Sequence, residues 1–232
     1  MGLKTEIFPD AASTANAAAA FVASESRAAI AARGRFVAAL SGGSTPWLML
    51  RALARVDVRW DAVQFVQVDE RVAPAGDPDR NLTHLHESFL QHTSLRPEQI
   101  HAMAVQYRDL EAAAAQYAQT IAELAGLPPV LDLVHLGLGT DGHTASLVSG
   151  DPVLDVVDAD VALTGTYQGR RRMTLTYAIL NRTRRVLWLV TGVEKKIALQ
   201  RLQAGDLSIP AGRVRQERAL IFADRGAAGE TL

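Results

Sequence analysis

Asp141 and His143 stand two residues apart in Leu136-Gly-Leu-Gly-Thr-Asp-Gly-His-Thr-Ala-Ser-Leu147. An imidazole beside a carboxylate is material for general acid/base work. The imidazole accepts a proton near neutral pH, and the carboxylate orients it or stabilises its cation. Glycines 137, 139 and 142 surround the pair, and glycine admits positive φ and close approach of a ligand to the backbone. The preceding run, Val130-Leu-Asp-Leu-Val-His-Leu136, predicts a buried strand. In an open α/β sheet, ligands sit beyond the carboxyl ends of the strands. The pair is therefore expected on a loop at that edge.

A second candidate is Ser41-Gly-Gly-Ser-Thr-Pro46. It follows the apolar run Arg35–Leu40 and leads into a helical pattern over Trp47–Arg55, with Pro46 predicted at the first helical position. Gly42 and Gly43 before a helix N-terminus expose free N–H donors at the positive end of the macrodipole, which suits an anion. Ser41, Ser44 and Thr45 bring hydroxyls to the same turn. No Gly-Lys-Ser/Thr follows, so it is not a nucleotide P-loop; a capped tight turn is the plainer reading. Arg71, Arg172 and Lys195 each border a predicted element. They can meet an anion, although solvation is the usual fate of such charges.

Other chemistries fit less well. Gly137-Leu-Gly-Thr-Asp-Gly142 spells G-x-G-x-x-G, with Asp158 or Asp160 about twenty residues on, as a dinucleotide site wants. The third glycine, however, precedes His143 rather than a clear helix, and the motif lies in mid-chain, so no nicotinamide cofactor is expected. Ser44, Ser146 and Ser149 all lack the G-x-S-x-G elbow of a serine hydrolase. His84 and His86 lie two apart on a predicted helix and face different ways. His92 and His101 have no partners, and His135 alternates with core residues and reads as structural. No histidine spacing resembles a zinc site. There are no cysteines, which removes disulfides, thiolate metal sites and a cysteine nucleophile.

The elements that must position these groups alternate. Strands are predicted at Thr5–Phe8, Arg35–Leu40, Ala62–Val68, 130–136, within Val153–Thr164, at Arg170–Thr176, Arg185–Thr191 and Ala219–Ala223. Helices are predicted over Ala11–Ala32, from Trp47, from a cap at Asn81 to about Gln91, from a cap at Asp109 to near Gly126, and from Val193 to Ala204. Residues 72–80 are expected to form a loop. This order predicts one α/β domain over residues 1–232, a mostly parallel Rossmann-like sheet covered on both faces in three layers. The 232 residues are 48% hydrophobic and carry a net charge of −1. That balance argues against nucleic acid or an anionic membrane as partner. The start of the chain lacks a signal-peptide layout, no stretch approaches the ~18 apolar residues of a membrane span, and a cytoplasmic monomer is expected.

Together these stretches resemble the 6-phosphogluconolactonase family, within the wider glucosamine-6-phosphate deaminase-like superfamily. The resemblance rests on Ser41–Pro46, Asp69-Glu-Arg71 with Asn81 downstream, 136–147, Arg172–Thr176, Thr191–Lys195 and Phe222–Ala228, in family order and over nearly the whole chain. Two replacements depart from it. Val148-Ser149 stands for the usual Phe-Pro, and Arg80 rather than Ser precedes Asn81; both are expected to reshape the pocket rim. The resemblance implies hydrolysis of 6-phospho-D-glucono-1,5-lactone without metal or cofactor. It implies His143 as base, Asp141 as its orienter, and the 41–45 loop, Asp69, Arg71, Asn81, Arg172 and Lys195 around phosphate and sugar. The alternatives are a glucosamine-6-phosphate deaminase or isomerase, whose motif continues Gly-His-Ile-Ala-Phe-Asn-Glu-Pro with a glutamate this chain lacks, and a non-catalytic sugar-phosphate-binding protein.

Overall fold

A computed structural model describes residues 3–230; positions 1–2 and 231–232 of the predicted domain lie outside it. The chain runs β1 (Lys4–Phe8), α1 (Ala11–Arg33), β2 (Phe36–Leu40), α2 (Ser44–Leu53), β3 (Val63–Gln67), β4 (Asp69–Arg71), α3 (Asn81–Ser88), β5 (Ile100–His101) and α4 (Leu110–Ala125). It continues with β6 (Leu133–Leu136), β7 (Val161–Leu163), β8 (Arg172–Leu175), α5 (Tyr177–Leu180), β9 (Val186–Val190), α6 (Lys196–Gln203), β10 (Ala219–Asp224) and α7 (Arg225–Ala228).

Seven strands form one parallel sheet in the order β1-β10-β9-β6-β2-β3-β5. From β2 the chain moves outward to β3 and β5; from β6 it moves the other way, to β9 and β10. The β2–β6 junction is thus the topological switch point, where an α/β sheet leaves a crevice beyond its strand ends. β2 is buried along its whole length. Val37 and Ala39 join one core, while Phe36, Ala38 and Leu40 join the other. α1, α2 and α3 cover the second face, and α4 to α7 cover the first. Three layers follow, as expected. Among the described residues, no helix is long and apolar enough to cross a membrane.

The alanine run of α1 presents Ala15, Ala18, Ala19, Val22 and Ala23 to the sheet at helical spacing. Asp10 caps its start by accepting from the Ser13 N–H at 2.7 Å, and Gly34 closes it with φ 76°.

Several elements differ from the sequence reading. Helix α2 starts at Ser44 with Gly43 as its cap, so Pro46 stands third rather than first. It remains within the turn whose N–H groups have no helical acceptor. The Val153–Thr164 stretch divides into a 3₁₀ turn, Pro152–Asp155, and the short β7. The helix predicted from Val193 begins as a 3₁₀ turn, Val193–Lys195. Asp69-Glu-Arg71 is not the end of β3: at Val68 the chain leaves the main sheet and forms a second, antiparallel one, β4-β8-β7.

Asn81 does not cap α3 either. It is the first helical residue, and Arg80 occupies the cap without a side-chain bond. Glu70 does the capping from a distance: Oε1 accepts from the Asn81 N–H and Oε2 from the Leu82 N–H, both at 2.8 Å. A carboxylate at a helix N-terminus also meets the positive end of the dipole. Arg80 turns inward, its Nε 3.5 Å from Glu70 Oε2, with both side chains buried. It therefore does not line the cavity described below, and neither do Val148 and Ser149.

Glu70→Ala is expected to cost about 3–5 kcal/mol, the range for stranding one member of a buried ion pair. Arg80→Met should cost less than half as much, because Glu70 keeps donors from Gln67, Arg71, Asn81 and Leu82. Urea denaturation measures both, and equal losses would show that the pair, rather than the cap, is what matters.

Candidate active site

Both glycine-bearing turns sit at the carboxyl ends of the two strands flanking the switch point. Residues 41–45 leave β2, and residues 137–145 leave β6. They face each other across a cavity of about 320 Å³. Ser41, Gly42, Gly43, Ser44, Thr45, Asp69, Arg71, Asn81, His143, Arg172 and Lys195 all border it. Of the sequence-derived candidates only Asp141 does not; it stands behind His143.

The β6 loop is shaped by what its glycines lack. A Cβ on Gly139 would fall 2.1 Å from His143 Nδ1, so the imidazole lies directly over bare backbone. Gly142 has φ 85°, and a Cβ there would strike Ile209 at 2.6 Å. The Gly139 N–H donates to the His143 carbonyl at 2.8 Å, and the Ala211 N–H donates to the Gly142 carbonyl at 3.0 Å. Ala145, on the cavity wall, holds φ 52°, an uncommon conformation for a residue with a side chain.

His143 Nδ1 lies 2.6 Å from Asp141 Oδ1, which also accepts from the His143 backbone N–H at 3.1 Å. A carboxylate partner draws the ring proton to Nδ1 and leaves Nε2 as the nitrogen with a free lone pair. Partial burial pushes the Asp141 carboxyl upward. The His143 backbone N–H and ring outweigh this and hold it below the usual carboxylate value. Asp141 thus stays anionic at neutral pH.

The same cavity carries cations. Arg71 and Arg172 are cross-strand partners of β4 and β8. Arg71 Nη1 donates to Asn81 Oδ1, and Arg172 Nη2 donates to Gln168 Oε1 at 3.2 Å. Arg172 is buried, yet its Nε has no hydrogen-bond partner among the described residues. Burial, and then the neighbouring Arg71 charge, lower its pKa. Asp69 is buried beside them: Oδ2 accepts from Ser146 Oγ at 2.6 Å and Oδ1 from Asn81 Nδ2 at 3.3 Å. Gly42 makes room for Asn81, since a Cβ there would lie 2.0 Å from Asn81 Oδ1.

Residues missed from sequence include Thr191, whose hydroxyl bonds that of Thr45, and Glu194 on the wall beside Lys195. Their signal was available, because they too follow a strand end, that of β9. Tyr167, which packs against both His143 and Arg172, had no local signal. Other readings lose support. No helix opens after Gly142 to receive a pyrophosphate, and Ser146 Oγ is committed to Asp69 rather than to a histidine. His135 is fully buried beneath the site, its Nδ1 accepting from the Ser41 N–H at 3.4 Å. Its reading as a structural histidine fits this placement.

Fold and site define a three-layer α/β protein with an arginine- and lysine-lined pocket adjoining an imidazole–carboxylate pair. The family described as glucosamine-6-phosphate isomerases/6-phosphogluconolactonase matches residues 9–222. A 6-phosphogluconolactonase from Synechocystis sp. is 36% identical over 211 residues, covering 88% of each chain. Among solved structures, a 6-phosphogluconolactonase from Shewanella baltica superposes with a TM-score of 0.82 at 26% identity, covering 96% of this chain and 97% of that one. A monomeric glucosamine-6-phosphate deaminase superposes with a TM-score of 0.86 at 20% identity, covering 99% of this chain and all of the other; it shares the fold. The chain belongs to the glucosamine-6-phosphate isomerase/6-phosphogluconolactonase family.

Burial lowers the His135 pKa to about 4, whereas an unfolded histidine titrates near 6.5. Between these values the unfolded chain binds the extra proton. Stability is therefore expected to fall as pH drops from about 6.5 toward 4, by up to about 1.4 kcal/mol per pH unit from this group. Denaturation of the wild type and His135→Leu across that window measures it, and identical slopes would exclude His135 as the source.

Proposed function

We propose that the protein hydrolyses 6-phospho-D-glucono-1,5-lactone to 6-phospho-D-gluconate, the second step of the oxidative pentose phosphate pathway. One observation carries this reading: the cavity that His143 borders also holds Arg71 and Arg172, direct cross-strand partners of which neither forms an ion pair among the described residues. A base and an anion clamp in one cavity match a lactone that carries both an ester and a phosphate.

In this mechanism Arg71, Arg172, Lys195 and the first N–H groups of α2 bind the phosphate and sugar. Guanidinium forks suit phosphate oxygens, and a helix N-terminus suits an anion. His143 Nε2 takes a proton from water while the water oxygen attacks the lactone carbonyl carbon. Asp141 stabilises the resulting imidazolium. Backbone N–H groups of the glycine-rich turns stabilise the tetrahedral oxyanion. The oxyanion collapses, the bond from the carbonyl carbon to the ring oxygen breaks, and His143 returns its proton to that oxygen. A lactone is an activated ester, so a positioned base worth about 10²–10⁴-fold is sufficient machinery. Anchoring the remote phosphate supplies orientation. We further propose a cytoplasmic monomer, and sedimentation equilibrium reads the oligomeric state.

The deciding assay couples freshly generated lactone to 6-phosphogluconate oxidation, with the spontaneous rate subtracted. His143→Ala is expected to lose at least about a hundredfold in kcat; wild-type turnover in that variant would refute the base assignment. Arg172→Ala and Lys195→Ala should chiefly raise KM, and an unchanged KM in both would remove them from the anchor. Ammonia release from glucosamine 6-phosphate would favour a deaminase. Binding of 6-phosphogluconate without turnover of the lactone would favour a sensor.

A further inference from the structure

The connection between β7 and β8 folds back as a tight hairpin. Tyr167 and Arg170 exchange backbone hydrogen bonds at 3.0 and 3.3 Å, and the two residues between them, Gln168 and Gly169, have φ of 51° and 78°. Positive φ at both positions is the signature of the two-residue turn that matches strand twist. Arg170 latches the hairpin to the segment ahead of α3, meeting Asp77 Oδ2 at 3.2 Å and Asp79 Oδ2 at 2.9 Å. The hairpin is thereby tied to the stretch that delivers Asn81.

This latch fixes a half-buried tyrosine between the two ends of the site. The Arg172 guanidinium carbon lies 5.0 Å from the centre of the Tyr167 ring. The His143 ring lies 5.7 Å away from the same ring, at an interplanar angle of 64°. Arg172 needs a holder, because it is the direct cross-strand partner of Arg71, and like charges so placed repel. Among the described residues no carboxylate forms an ion pair with it. The Gln168 amide and the Tyr167 ring hold it directly, and the buried Asp69 charge supports it without an ion-pair contact. A carboxylate in that place would neutralise the guanidinium and compete with an incoming anion. An aromatic face attracts the cation while leaving its charge available.

We propose that Tyr167 is a positioning residue for the reaction, its ring aiming Arg172 at the substrate phosphate and bracing the His143 imidazole. This rests on the cavity taking a phosphorylated lactone. The ring, not the hydroxyl, does the holding, so Tyr167→Phe should keep kcat and KM within about twofold. Tyr167→Ala should raise KM by roughly 3- to 30-fold, the range of a cation–π contact, and also lower kcat. Tyr167→Leu, which keeps bulk without a π face, should raise KM similarly but lose less kcat.

The test is steady-state kinetics on these variants, on Arg172→Ala and on the double variant Tyr167→Ala/Arg172→Ala, with thermal unfolding to confirm that each is folded. In the Arg172→Ala background, Tyr167→Ala should add nothing further to KM yet still depress kcat. Full multiplication of the two KM effects would overturn the proposal, as would wild-type kinetics in Tyr167→Ala or a loss in Tyr167→Phe equal to that in Tyr167→Ala. Calorimetric titration with inorganic phosphate separates this failure from failure of the lactonase reading. Should the wild type turn over no lactone, weaker phosphate binding in Tyr167→Ala but not Tyr167→Phe would still sustain the Arg172 half. Equal binding in all three would overturn it.

Discussion

The hydrogen bond between Asp141 and His143 constrains the whole carboxyl edge of the sheet. At 2.6 Å it fixes the imidazole over Gly139, in space that any side chain on that residue would fill. The loop reaches that geometry only through a left-handed Gly142 pressed against Ile209 and an Ala145 held in the same uncommon region. A non-glycine residue there stores of order 1–3 kcal/mol of strain. The surroundings offset it: Ala211 bonds the Gly142 carbonyl, Thr144 bonds the Gly137 carbonyl at 2.9 Å, and β6 beneath is buried on both faces. The rigid sheet is what allows a strained loop to hold one side chain still.

The second constraint is electrostatic, and it explains the small antiparallel sheet. A parallel sheet alone delivers loops at one edge, with side chains spaced by the width of a strand. By leaving β3 at Val68 and pairing β4 with β8, the chain sets two arginines directly opposite each other beside that edge. Repulsion between them is moderated by the buried Asp69 and by neutral groups, namely Asn81 on Arg71 and Gln168 with Tyr167 on Arg172. What remains is a net positive pocket in which, among the described residues, one guanidinium nitrogen has no hydrogen-bond partner.

The legible parts of the site were those carried by short contiguous segments. Ser41–Pro46 and 136–147 each combine a buried strand, glycines and a polar turn within a dozen residues, so periodicity and turn chemistry were enough to place them. The parallel order followed from alternating strands and helices. The β4–β8 pairing was not legible, because it joins segments about a hundred residues apart through strands of three and four residues with no alternation to read. Asn81 illustrates the same limit. Its residue type suggests a helix cap, but Glu70, eleven positions earlier, takes that role and frees the Asn81 side chain for Arg71 and Asp69. Tyr167 escaped notice because a lone tyrosine near a turn carries no pattern; only the hairpin gives it neighbours.

The fold does not by itself choose the chemistry, since a deaminase shares it closely. The choice lies in which of two carboxylates is left with work to do. Asp69 faces the cavity, but one oxygen accepts from Ser146 and the other from Asn81, so it is held as a fixed acceptor. Ser146 stands three residues after His143, inside the Thr144–Val148 segment where the chain departs from the deaminase pattern. Its hydroxyl holds Asp69 Oδ2 in place at 2.6 Å. Asp141, by contrast, spends its anionic charge on one imidazole. On the proposed reading the free lone pair at this edge belongs to His143, and a single base beside a phosphate clamp suits the addition of water to an ester better than the moving of protons around a sugar.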